Sequence, residues 1–98
     1  MVEIRREQID ARHGRYVAHI PGLEGEAELT FTRRGPGQIS ADHTGVPGSM
    51  AGQGVGRALV ERLVADAGQE GDRIIPVCPF VLAQSRRHPD WADLFIAP

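Results

Sequence analysis

Residues 50–58 read Met50-Ala51-Gly52-Gln53-Gly54-Val55-Gly56-Arg57-Ala58, three glycines at alternate positions running straight into an apolar series. That series, Val55, Leu59, Val60, Leu63, Val64 and Ala67, has helical spacing and predicts an amphipathic helix from Val55 to about Gly68. Glycine permits a tight turn and lets a ligand approach the main chain without meeting a Cβ. A helix start carries unpaired N–H groups and the positive end of the macrodipole. Together they make an anion site of the kind that holds phosphate or pyrophosphate. The plainer alternative is a flexible turn ahead of a surface helix.

Spacing narrows the choice of phosphate loop. The mononucleotide pattern G-x-x-x-x-G-K-[S/T] requires a lysine, and this chain has none; its eleven basic side chains are all arginine. The dinucleotide pattern G-x-G-x-x-G/A requires a small residue three places after its second glycine. Counting from Gly52 that place holds Arg57, and counting from Gly54 it holds Leu59. Both patterns fail.

Ninety-eight residues suit one domain, residues 1–98, with a core of ordinary composition. A net charge of −2 argues against sequence-independent nucleic-acid binding, which needs a basic surface. The single cysteine excludes an internal disulfide framework and a multi-cysteine metal site. The four histidines share no close ligand spacing, so no metal is expected. With no signal-like segment and no apolar run of membrane-spanning length, the expected setting is cytoplasmic, without membrane attachment.

Outward from the glycine loop, the first half of the chain has a strand period. A short strand is expected over Val2–Ile9. Arg15–Ile20 alternates, with Tyr16, Ala18 and Ile20 on one face and Val17 and His19 on the other. Gly25–Arg33 puts Ala27, Leu29 and Phe31 on one face; Gln38–Val46 does the same with Ile39, Ala41 and His43. Turns fall at Pro21-Gly22 and Arg34–Gly37. After the helix, which Gly68 and Gly71 should stop, Arg73–Cys78 reads as a buried strand parallel to the fourth. Phe80–Arg87 reads as a second helix, ended by His88-Pro89-Asp90-Trp91, with Ala92–Ile96 as a last turn or short strand. The order is β-β-β-β-α-β-α, an α+β domain with a mostly antiparallel sheet.

This order, with a Gly-rich loop between the fourth strand and the helix, resembles a compact GNAT N-acetyltransferase. Three blocks carry the likeness to small single-domain GNAT-like proteins of the YjdJ type. They are His43-Thr44-Gly45-Val46, the Gly52–Ala58 loop, and Ile75-Pro76-Val77-Cys78-Pro79-Phe80 followed by Arg86-Arg87-His88-Pro89-Asp90-Trp91. The loop approximates the family's R/Q-x-x-G-x-G/A, with Gly54 and Gly56 in the glycine places and Ala51 departing from the leading Arg/Gln. The resemblance implies that acetyl-CoA binds with its pyrophosphate on the Gln53–Arg57 amides. Val46, Gly52, Gln53, Gly54, Val55, Gly56, Arg57 and Ala58 would form the cofactor site, with the pantetheine arm in a gap between the two parallel strands. Pro76 suggests such a gap on its own, because a proline in a buried strand marks an edge or a break in pairing; it could also merely shorten the strand.

Acetyl transfer needs a neutral amine, a proton acceptor, donors for the carbonyl oxygen and a proton for the departing thiolate. Cys78, ahead of a helix start, is a candidate nucleophile or acid, set against the commoner role of small hydrophobe lining the channel. His43 is a candidate base, although its alternation with Ile39 and Ala41 points it at the core, where a structural histidine is commoner. His88 is a weaker candidate. The second helix lacks the tyrosine that many family members use as acid, leaving Ser85, Cys78 or water. Arg86 and Arg87 either meet the CoA 3′-phosphate or form a solvated face; Phe80, Trp91 and Phe95 are expected as core anchors. The expected activity is acetyl transfer to an amine of a small molecule or protein. The alternatives are a CoA-binding module completed by a partner protein, or an interaction domain whose glycine loop is only a turn.

Overall fold

Short turns return each strand of the first half against the one before it. In the computed structural model, which describes residues 1–97, β1 (Glu3–Gln8), β2 (His13–His19), β3 (Ala27–Gly35) and β4 (Gln38–Gly45) form an antiparallel meander. The chain then crosses through α1 (Val55–Glu70) and returns as β5 (Arg73–Pro76), parallel to β4. The sheet order is therefore β1-β2-β3-β4-β5. Helix α2 (Pro79–Arg87) and a 3₁₀ turn (Pro89–Leu94) complete the α+β fold expected from the periodicities. Beyond that turn, the Ile96 N–H donates to the Ile74 carbonyl at 2.9 Å.

One face of the sheet and the apolar stripe of α1 make the core. Tyr16, Ala18, Leu29, Phe31, Ile39 and Ala41 meet Leu59, Val60, Leu63 and Val64, and Val81 of α2 joins the same buried cluster. Each fully buried leucine or valine there contributes about 1.5–3 kcal/mol of transfer free energy. Helix α1 runs through Gly68, contrary to expectation, and stops at Gly71, which adopts φ 74°. Only the second glycine supplies the left-handed end that caps a helix.

Two polar clusters tie the layers together. Arg33 donates to both carboxylate oxygens of buried Asp72, at 2.9 and 2.8 Å, joining the end of β3 to the α1–β5 junction. This fork holds the Asp72 carboxyl below its ordinary range. The Tyr16 hydroxyl donates to Asp66 of α1 at 2.7 Å, and Arg62 approaches the same carboxylate at 3.2 Å. Burial first, then the Asp66 bond, raises the Tyr16 pKa. The Arg62–Asp66 pair, four residues apart on α1, is part of this inter-layer cluster.

The feature that shapes the site is an irregularity in β4. Phe31 pairs with Ala41, yet Thr30 pairs with His43, leaving Asp42 as an extra residue. A bulge of this kind shifts the side-chain alternation by one place. His43 therefore does not point at the core; it is exposed on the opposite face, across from Thr30. Thr44, paired with core residue Leu29, takes the inward position instead.

Candidate active site

The bulge also ends the β4–β5 pairing. The last ladder pair is Ala41 with Pro76, followed by one hydrogen bond from the Cys78 N–H to the Ala41 carbonyl at 2.8 Å. Beyond it β4 stays with β3 while the other chain turns into α2, so a gap opens between them. Pro76, which has no N–H to donate, stands at that parting. Thr44 and Cys78 face each other across its narrow end: the Cys78 thiol donates to Thr44 Oγ1 at 3.5 Å. Cys78 is buried, 5% exposed, and is the N-cap of α2 without a side-chain capping bond.

Two residues beyond Thr44 and Cys78 along the sequence lies a groove of about 390 Å³. Val46 continues from Thr44 on one side and Phe80 from Cys78 on the other. Its floor is the glycine loop and the first turn of α1, with Met50, Gly52, Gly54, Val55, Gly56 and Arg57 all lining it; Gln84 of α2 completes the far wall. Met50 is wholly buried and anchors the loop in the core through a short 3₁₀ turn, Gly48–Met50.

The loop's chemistry lies in its backbone. Gly52 and Gly54 hold φ values of 77° and 73°, and nothing stands within 4 Å of where a Cβ would project from either. The first hydrogen bond of α1 is from the Ala58 N–H to the Gly54 carbonyl at 3.0 Å. The N–H groups of Gly54, Val55, Gly56 and Arg57 therefore precede any intrahelical bond, and Gly54 offers no side-chain cap. A row of unpaired donors at the positive end of a sixteen-residue helix is the arrangement that receives an anion. The Gln53 amide, expected in the cradle, donates instead to the Met50 carbonyl at 3.3 Å. Ala58 likewise spends its amide inside the helix.

Gly56 serves a different purpose from its neighbours. A Cβ there would come within 2.8 Å of Phe80 Cζ, so the ring of α2 rests on the bare helix backbone. Phe80 is 38% exposed and lines the groove; it is not the core anchor the sequence suggested. The expected arginines divide: Arg57 lines the groove, and Arg86 and Arg87 do not. Arg57 is exposed, its Nε 3.5 Å from Glu61, while Arg86 and Arg87 are exposed in the last turn of α2 and outside the groove lining. His88 stacks on Trp91 with ring centroids 3.9 Å apart. Met50, Thr44 and Gln84 were not singled out by sequence; the helical spacing Phe80–Gln84 was the available signal.

Among the described residues, no group of three or more His, Cys, Asp or Glu side chains could hold a metal ion, and no helix is long and apolar enough to cross a membrane.

The family model for GCN5-related N-acetyltransferases matches residues 15–94, from β2 through the 3₁₀ turn after α2. The chain belongs to that family. The fold is also similar to the NMR structure of a GCN5-like protein from Staphylococcus aureus, with a TM-score of 0.72 and 26% identity over 98% of this chain and 89% of that one. No match is found among curated proteins.

Proposed function

We propose that residues 1–98 act as one acetyl-CoA-dependent N-acetyltransferase domain, with the groove as the acetyl-CoA site and an amine as acceptor. The observation that carries this reading is the row of unpaired N–H groups from Gly54 to Arg57 in the lining of a groove whose Val46 and Phe80 stand two residues beyond Thr44 and Cys78. Acetyl-CoA held there supplies an activated acetyl thioester. The Gly54–Arg57 amides hold its pyrophosphate, and the absence of side chains at Gly52 and Gly54 lets the phosphates reach the main chain. Val46 and Val55 give the groove apolar surface for the ligand's uncharged part.

His43 stands on the open face of β4, next to Thr44, and takes the proton an ammonium acceptor must lose. Cys78 sits at the narrow end of the gap within reach of the Thr44 hydroxyl, placed to return a proton to the departing thiolate or to act as nucleophile. The bulge at Asp42 is what separates the two groups onto different sides of the strand.

The test is calorimetric titration with CoA, followed by turnover of acetyl-CoA against primary amines and lysine peptides. Expected are saturable CoA binding and a thermal shift equivalent to about 2.7 kcal/mol at a hundredfold excess over Kd. CoA binding without transfer to any amine would make the chain a CoA-binding module. No binding at millimolar CoA would remove the reading.

A further inference from the structure

We propose that Gln84 is a ligand-reading residue: its carboxamide hydrogen-bonds a neutral amide of the ligand's arm, separately from the anion cradle. Gln84 is only 8% exposed, yet its side chain has no hydrogen-bond partner among the described residues. No fully enclosed polar side-chain atom among those residues lacks a partner. The small exposed remainder of Gln84 therefore includes its carboxamide, and the space it opens into is the groove it lines. An apolar residue of the same length would close this wall, whereas the carboxamide leaves donors and acceptors open to the groove. The position keeps a polar group that the protein itself does not satisfy.

The chemistry of the group names its complement. A carboxamide offers two donor hydrogens and two acceptor sites and carries no charge, so it suits a group that both donates and accepts. A phosphate only accepts, and the unpaired amides of α1 already provide for it. Gln84 lies one helical turn beyond Phe80 on α2, in the lining of the same groove as those amides. This inference rests on the groove being the acetyl-CoA site, where the ligand portion bearing neutral secondary amides is the pantetheine arm.

The experiment compares Gln84→Met with the parent protein in two titrations and one melt. The first titrant is CoA; the second is adenosine 3′,5′-bisphosphate, which carries phosphates and no arm. Gln84→Met should melt at or above the parent temperature, since the protein loses no internal bond. Its Kd for CoA should rise about fivefold to tenfold, as for one lost hydrogen bond, while its Kd for the bisphosphate stays at the parent value. Unchanged CoA affinity would overturn the assignment, as would an equal loss for both titrants, which would place Gln84 on the phosphates. A marked fall in melting temperature with unchanged affinity would make the residue structural. If the parent itself binds no CoA, the groove reading falls first and takes this one with it; a parent that binds CoA and a variant that binds equally well removes only the role of Gln84.

Discussion

One added methyl group at Gly56 distinguishes the work of that glycine from the work of Gly54. In Gly56→Ala the new Cβ would lie 2.8 Å from Phe80 Cζ and 3.1 Å from Cε2, where ordinary contact begins at 3.4 Å. The helix backbone cannot yield, so the ring must. Phe80 is partly exposed and rotates at small cost, while alanine in a helix gains about 0.5–1 kcal/mol over glycine. The two effects oppose, and net stability should stay within about 1 kcal/mol of the parent. Binding should not be spared, because the displaced ring forms one wall of the groove: we expect CoA affinity to drop about tenfold, or about 1.4 kcal/mol. Gly54→Ala meets nothing within 4 Å but is held at φ 73°, so it should cost about 1–2 kcal/mol of stability through its backbone alone. Urea unfolding and calorimetric titration of both variants give the comparison. With Phe80→Leu as background, the methyl at position 56 should have little further effect on affinity. Parental CoA affinity in Gly56→Ala would refute the coupling, as would an undiminished penalty in the Phe80→Leu background.

Asp72→Asn should cost about 1.5–3 kcal/mol at neutral pH, measured by urea unfolding, because Arg33 loses a charged acceptor on both arms of its fork. Since Asp72 titrates below its unfolded value, that contribution is present above about pH 4 and disappears as pH falls through the lowered folded value; variant and parent should converge in acid. Tyr16→Phe should cost about 1.5 kcal/mol in thermal melts, at the lower end for a bond to a carboxylate, because Asp66 keeps Arg62. Cys78→Ser and Cys78→Ala should bind CoA like the parent and lose most transfer. An acetyl adduct on the Cys78 peptide after brief exposure to acetyl-CoA marks the nucleophilic route, and full turnover in Cys78→Ala removes both chemical roles.

Local pattern carried the architecture. The alternation of Ala27, Leu29 and Phe31, the stripe from Val55 to Ala67 and the short turns each specify their element, and their order leaves few ways to arrange the sheet. The glycine loop was legible because backbone geometry and helix start coincide there. The orientation of His43 was not, because one inserted residue in β4 reverses every later alternation and no residue type announces it. Val17 lies on the face its alternation assigns, opposite Tyr16 and Ala18, but its burial had no local signal. It faces away from the core yet is 1% exposed, flanked across the ladder by Arg5 and Glu28, whose ion pairs with Glu7, Glu26 and Arg15 cover that face. Neither the contact between Gly56 and Phe80 nor the free amide of Gln84 exists until α1 and α2 meet. Such pairwise geometry has no one-dimensional trace.

Among the described residues, every ion pair, from Arg33–Asp72 to the outer-face lattice, is made through a guanidinium or an imidazole, since the chain has no lysine. Guanidinium groups stay protonated at any pH the protein would meet and are poor nucleophiles toward a thioester. The molecule therefore presents no side-chain amine to its own proposed reagent. A reactive acetyl donor can dwell on this surface without capping the charges that hold it together, so self-inactivation through lysine modification is closed off by composition. Any acetyl group found on one of its side chains must sit on sulfur, oxygen or imidazole, which makes the protein its own clean background for identifying a transient acyl carrier.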